Sequence, residues 1–97
     1  MKNIKIKATS WDLVVSPKRE ANTETSWNKG VEPMNICGCC GKELTGARHS
    51  LRLIEGGEYF TEYEGQLEES SDMGWFLVGN TCYKKFLKNA TEIEASL

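Results

Sequence analysis

No apolar run in this chain is long enough to span a bilayer, which excludes a membrane-crossing helix. Internal repeats and low-complexity tracts are missing too, so neither a repeat array nor a biased linker is indicated. There is no glycine-rich phosphate cradle, and one histidine, His49, serves the whole sequence. Nucleotide-loop chemistry is therefore not expected, and no paired-carboxylate, Ser-His or Cys-His constellation can be drawn. The stretch Met1-Lys2-Asn3-Ile4-Lys5-Ile6-Lys7 starts basic but lacks an apolar core and a small-residue cleavage site. A signal peptide is not expected there, and a reducing cytoplasm is the expected location. In that compartment the four cysteines are metal ligands or free thiols rather than disulfides.

Basic residues are also missing between Leu53 and Tyr83, where Glu55, Glu58, Glu62, Glu64, Glu68, Glu69 and Asp72 stand alone. The rest of the chain holds all twelve Lys and Arg against seven acids, so a net charge of −2 conceals a division into about −7 and about +5. Two readings follow for the acids. They form a solvated hairpin and loop that keep the protein soluble, or a surface for a partner made of Glu58, Glu62, Glu64, Glu68, Glu69 and Asp72.

At 97 residues the chain is expected to form one domain, small enough that a single apolar core leaves a thin margin of stability. Ile4, Ile6 and Ala8 alternate with Lys5 and Lys7, the period of a half-buried strand. Residues 11–15, Trp-Asp-Leu-Val-Val, read as a second strand that stops at Ser16-Pro17, completing an N-terminal β segment over 1–17. Residues 18–35 lose the pattern and read as a long polar loop with one large apolar side chain, Trp27. His49, Leu51 and Leu53 then share one strand face, opposite Arg48, Ser50, Arg52 and Ile54. Glu55-Gly56-Gly57-Glu58 predicts a hairpin, with a return strand over 59–64. After a hydrophilic connection, residues 74–79 read as a buried strand in the middle of a sheet. Asn80 or Thr81 then caps a helix whose inner stripe is Cys82, Phe86, Ala90 and Ile93.

The chemistry gathers in Cys37-Gly38-Cys39-Cys40-Gly41-Lys42 and at Cys82. A Cys-x2-Cys turn brings two sulfurs to one ion, glycine after the second cysteine allows a positive φ, and a cysteine at a helix start gains from its free N–H groups. Zinc is the expected ion. For the fourth ligand His49 is the first choice, giving Cys37, Cys40, His49 and Cys82. Cys39, an acidic side chain or water are the alternatives, and water would leave an open position for catalysis. A thioredoxin-like redox pair expects a strand before it and a helix within it, and an iron–sulfur centre expects wider spacing than Cys39 and Cys40 have.

Cys37-x2-Cys40-Gly41-Lys42-x-Leu44, a hairpin, and Gly74-Trp75-Phe76-Leu77-Val78-Gly79-x2-Cys82-x-Lys84-Lys85 together resemble small zinc-knuckle proteins of bacteriophage and plasmid genomes. The resemblance covers residues 36–88 and implies a treble-clef-like element with one cysteine at the helix where two are typical. It also implies an accessory factor of a mobile element, some of which inhibit host defence or replication machinery. The expected fold is a small zinc-stabilised α+β domain: an antiparallel sheet, the knuckle at one end, and a C-terminal helix on one face, with residues 36–93 as the metal module. The expected function is non-enzymatic binding of a protein, such as a host nucleic-acid-binding protein, through the acidic surface. The alternative is nucleic-acid binding through Lys84, Lys85, Lys88, Arg48, Arg52, Lys5 and Lys7, with Tyr59, Phe60, Tyr63 or the tryptophans stacking on bases. No membrane partner is expected.

Overall fold

The computed structural model describes residues 3–96. β1 (Asn3–Ser10) alternates as its sequence predicts, with Ile6 and Ala8 buried on one face and Lys5 and Lys7 exposed on the other. It lies inside a five-stranded antiparallel sheet ordered β4-β2-β3-β1-β5, formed with β2 (Arg48–Ile54), β3 (Tyr59–Thr61), β4 (Asp72–Gly79) and β5 (Thr91–Ser96). The N-terminal strand is thus not a free edge.

Residues 11–15 are not the expected strand. Trp11–Val14 form one helical turn, α1, because the Trp11 N–H is taken by the Glu58 carbonyl at 2.8 Å and Val15 N–H returns to the Trp11 carbonyl at 2.9 Å. Trp11 and Val14, three apart, then share the helix face that meets the core, with the Trp11 ring stacked 5.3 Å from Phe60. The expected loop over 18–35 is also corrected. It contains a ten-residue helix, α2 (Arg19–Asn28), and a short 3-10 turn at Pro33–Asn35, with Trp27 left 60% exposed.

The hairpin after β2 forms where Gly56 and Gly57 adopt φ of 68° and 94°, conformations open to residues without a Cβ. β3 ends at Thr61, three residues earlier than expected. The Thr61 hydroxyl donates to the Lys7 carbonyl at 2.7 Å and accepts the Tyr63 N–H at 3.2 Å, which turns the chain out of the ladder. Residues 62–71 then place Leu67 against Ile6, Ile54 and Ala95, closing a second core on the opposite face of the sheet from the first.

β4 is an edge strand, not a central one. Phe76 and Val78 face the main core, whereas Met73, Trp75 and Leu77 stay exposed, Trp75 at 45%. Apolar residues on both faces therefore mark a strand with one uncovered side. α3 (Asn80–Asn89) buries Cys82 and Phe86 as predicted, but Gly79, without a side-chain cap, stands at its N-cap position instead of Asn80 or Thr81. The helix also stops before Ile93. Ala90 turns extended, and β5 runs back along β1 for six register pairs, Ile93 opposite Ile6, so the last element is a strand and not a helix. Thr9 ties the two layers together by donating its hydroxyl to the Phe86 carbonyl at 2.7 Å.

Candidate metal centre

The knuckle begins with a small antiparallel bridge between Ile36 and Glu43, which brings the chain back on itself. Inside it, Cys37 N–H donates to the Lys42 carbonyl and Gly41 N–H to the Cys37 carbonyl, both at 2.9 Å. The carbonyls that remain are satisfied from outside the turn. Arg19 Nε donates to Gly38 at 2.7 Å, Ser16 N–H to Cys39 at 2.9 Å, Asn22 Nδ2 to Cys40 at 2.9 Å, and Ser26 Oγ to Gly41 at 2.8 Å. Arg19, Asn22 and Ser26 are spaced by three and four, so one polar face of α2 reads the knuckle backbone. Gly41 is fixed by two demands. Its φ is +77°, and a Cβ there would overlap the Arg19 carbonyl and Thr23. The knuckle is thus held from one side by α2 and from the other by β4, whose Leu77 carbonyl accepts Gly38 N–H at 2.9 Å.

This frame, together with the start of α3, brings Cys37, Cys40 and Cys82 together with all three sulfurs within 4.8 Å of one another. A tetrahedral thiolate site with metal–sulfur bonds of roughly 2.3 Å sets its sulfurs about 3.8 Å apart, so a small contraction suits the cluster to a metal ion. Backbone N–H groups already point at one sulfur. Cys39 and Gly79 each donate to Cys37 Sγ at 3.4 Å. A hydrogen bond with Cys82, followed by these backbone donors, holds Cys37 down to about 4 against the raising effect of burial. The same contact, through which the two thiols share a proton, raises Cys82 strongly, and burial adds to it. A divalent ion would replace that shared proton.

Cys39 is fully buried in the main core, pushed up to about 12 chiefly by burial, and is not among the three clustered cysteines. His49, the first choice for a fourth ligand, is not in the cluster either. Its ring lies flat on Tyr83, 3.8 Å between centroids and 5° from parallel, with Nε2 buried and unpartnered. Its strand face was read correctly, and that face meets the side of α3 one residue past Cys82. The six acids split as well. Glu58, Glu62, Glu64 and Glu69 are exposed and Glu68 is half-buried. Asp72, by contrast, is half-buried and tied to buried Arg52 at 2.7 Å, which holds its carboxyl down to about 2. Glu62 accepts the Tyr83 hydroxyl at 2.7 Å and thereby raises the Tyr83 pKa.

The residues that sequence reasoning missed are Arg19, Asn22 and Ser26. Their only signal was polar, donors at helical spacing just ahead of a knuckle rich in unpaired carbonyls. No helix among the described residues is long and apolar enough to cross a membrane. No protein-family model, no curated protein and no solved structure matches the chain.

Proposed function

We propose that this is a non-enzymatic binding protein stabilised by structural zinc, with Cys37, Cys40 and Cys82 as ligands in a treble-clef-like arrangement of knuckle, strands and α3. The observation that carries the reading is the meeting of three sulfurs from two distant segments in a frame that leaves no carbonyl of the knuckle turn unpaired. An all-thiolate set favours a borderline-soft ion such as zinc over hard cations that seek oxygen. In a reducing cytoplasm those thiols stay available to it.

The surface proposed to meet the partner is acidic. Glu58, Glu62, Glu64 and Glu69 stand exposed on elements with no Lys or Arg nearby in sequence. That charge suits a basic partner such as a nucleic-acid-binding protein, and the motif resemblance suggests an accessory role in a phage or plasmid. The nucleic-acid alternative loses two of its groups, because Arg52 is 7% exposed and Phe60 lies in the core.

The test has two parts. Zinc measured on purified protein should reach one ion per chain, and a chelator should unfold the knuckle and α3. Affinity capture from bacterial lysate should then yield a partner whose binding weakens steeply with salt and is lost when Glu58, Glu62, Glu64 and Glu69 are changed to Lys. Binding that survives the charge reversal would discard the acidic surface.

A further inference from the structure

The three sulfurs form part of the wall of a cleft of about 550 Å3, a volume in the usual range for small-molecule sites. Lys18, Lys42 and Lys85 line the same cleft, and Glu43 is the one carboxylate among its lining residues. The three lysines come from three separate parts of the chain: the approach to α2, the knuckle, and α3. Gly79, Asn80 and Thr81 complete that wall at the start of α3, where no side chain caps the helix. The positive end of the α3 dipole therefore borders the same space as the lysines.

A divalent ion on Cys37, Cys40 and Cys82 has a fourth tetrahedral position, and among the described residues neither His49 nor Cys39 belongs to the cluster that would supply it. We propose that the cleft binds a small anion: one donor atom completes the metal's coordination, and a second acidic group is held by Lys18, Lys42, Lys85 and the positive end of the α3 dipole. The inference rests on the metal reading above and extends it from a structural ion to a ligand site. No covalent step is involved, since the ligand binds and leaves intact.

Cobalt(II) in place of zinc makes the site visible, because its absorption reports the donors around it. Full-length cobalt-loaded protein is titrated with mercaptoacetate, which carries a thiolate and a carboxylate. The expected result is a saturable change in the cobalt d–d bands with the metal retained. In a Lys42→Gln/Lys85→Gln double variant, which adds no new metal donor of carboxylate type, the same titration should be weaker by about tenfold, ~1.4 kcal/mol, from the same resting cobalt spectrum. 2-Mercaptoethanol, which lacks the carboxylate, should bind more weakly by a similar factor. Bands that do not move, an equal response to the two thiols, or stripping of the cobalt would each overturn the proposal. So would a changed resting spectrum in Glu43→Gln, since Glu43 would then own the fourth position. A protein that shows no thiolate-to-cobalt absorption before any thiol is added would overturn the metal reading itself, and this proposal with it.

Discussion

In residues 37–42 and again in residues 62–71 the backbone leaves the sheet's ladder, and its carbonyls find donors elsewhere. For the knuckle the donors are many and dispersed: Arg19, Asn22 and Ser26 along one helix face, and the Ser16 N–H. In the acidic crossing one side chain takes two of the carbonyls, and backbone N–H groups take those of Glu68 and Ser71. Arg52 donates to the Tyr63 carbonyl at 3.1 Å, the Gly65 carbonyl at 2.7 Å and Asp72 at 2.7 Å, beneath the apolar plug of Leu67. The first arrangement suits a site whose sulfurs must hold their positions. In the second, a single guanidinium holds the first half of the segment, while Glu55 and Ser71 bond to each other at its far end.

Metal removal should separate the two regions most sharply. Cys37→Ser or Cys82→Ser, or chelation of the native protein, should cost on the order of 10 kcal/mol in apparent folding free energy. Hydrogen exchange should then show protection lost first in the knuckle, α2 and the start of α3, and retained longer where β1 pairs with β5. Uniform loss would mean that the two ends fold as one unit.

Arg52→Met should come next. Leaving the Tyr63 and Gly65 carbonyls without their donor should cost about 2–3 kcal/mol in all. Limited proteolysis should then cut within residues 62–71 while metal content stays unchanged. Gly41→Ala tests the other end, where the imposed positive φ and the crowding against α2 should cost about 1–3 kcal/mol and weaken metal retention. Asn22→Ala or Ser26→Ala should each cost only about 1 kcal/mol, readable as a shift in urea midpoint, because neighbouring donors persist.

Smallest is the acid response of the crossing segment. Asp72 titrates at about 2 when folded against 3.8 as a free side chain, so the folded state favours its charged form. Its contribution to stability is therefore complete above about pH 4 and fades as the pH falls toward 2. The stability gap between the wild type and Asp72→Asn, measured at each pH, should narrow as the pH falls from about 4 toward 2. A gap that stays constant would show that the ion pair does not hold the crossing.

Much of this comparison was legible in the sequence, and the gaps have physical reasons. β1, β2, the glycine hairpin and the cysteine trio could be read because apolar period and ligand spacing are local properties. α2 could not, since its packing face is polar and its partners are backbone carbonyls far along the chain. Arg52 read as surface charge because nothing local announces that a guanidinium will be buried under a loop. β5 was absorbed into α3 because Ala90 and Ile93 continue the helical stripe, and only pairing with β1 draws them into a strand. His49 was placed on the right face, yet its ring stacks on Tyr83, a contact that ligand spacing does not encode.

The central claim is that three thiolates from two segments hold one zinc ion, and native mass spectrometry of protein purified without chelator tests it directly. The account predicts a single added zinc mass in the wild type, retained in His49→Ala and Cys39→Ser and lost in Cys37→Ser, Cys40→Ser and Cys82→Ser. A wild-type chain that carries no metal, or a Cys82→Ser variant that keeps it as firmly as the wild type, would contradict it.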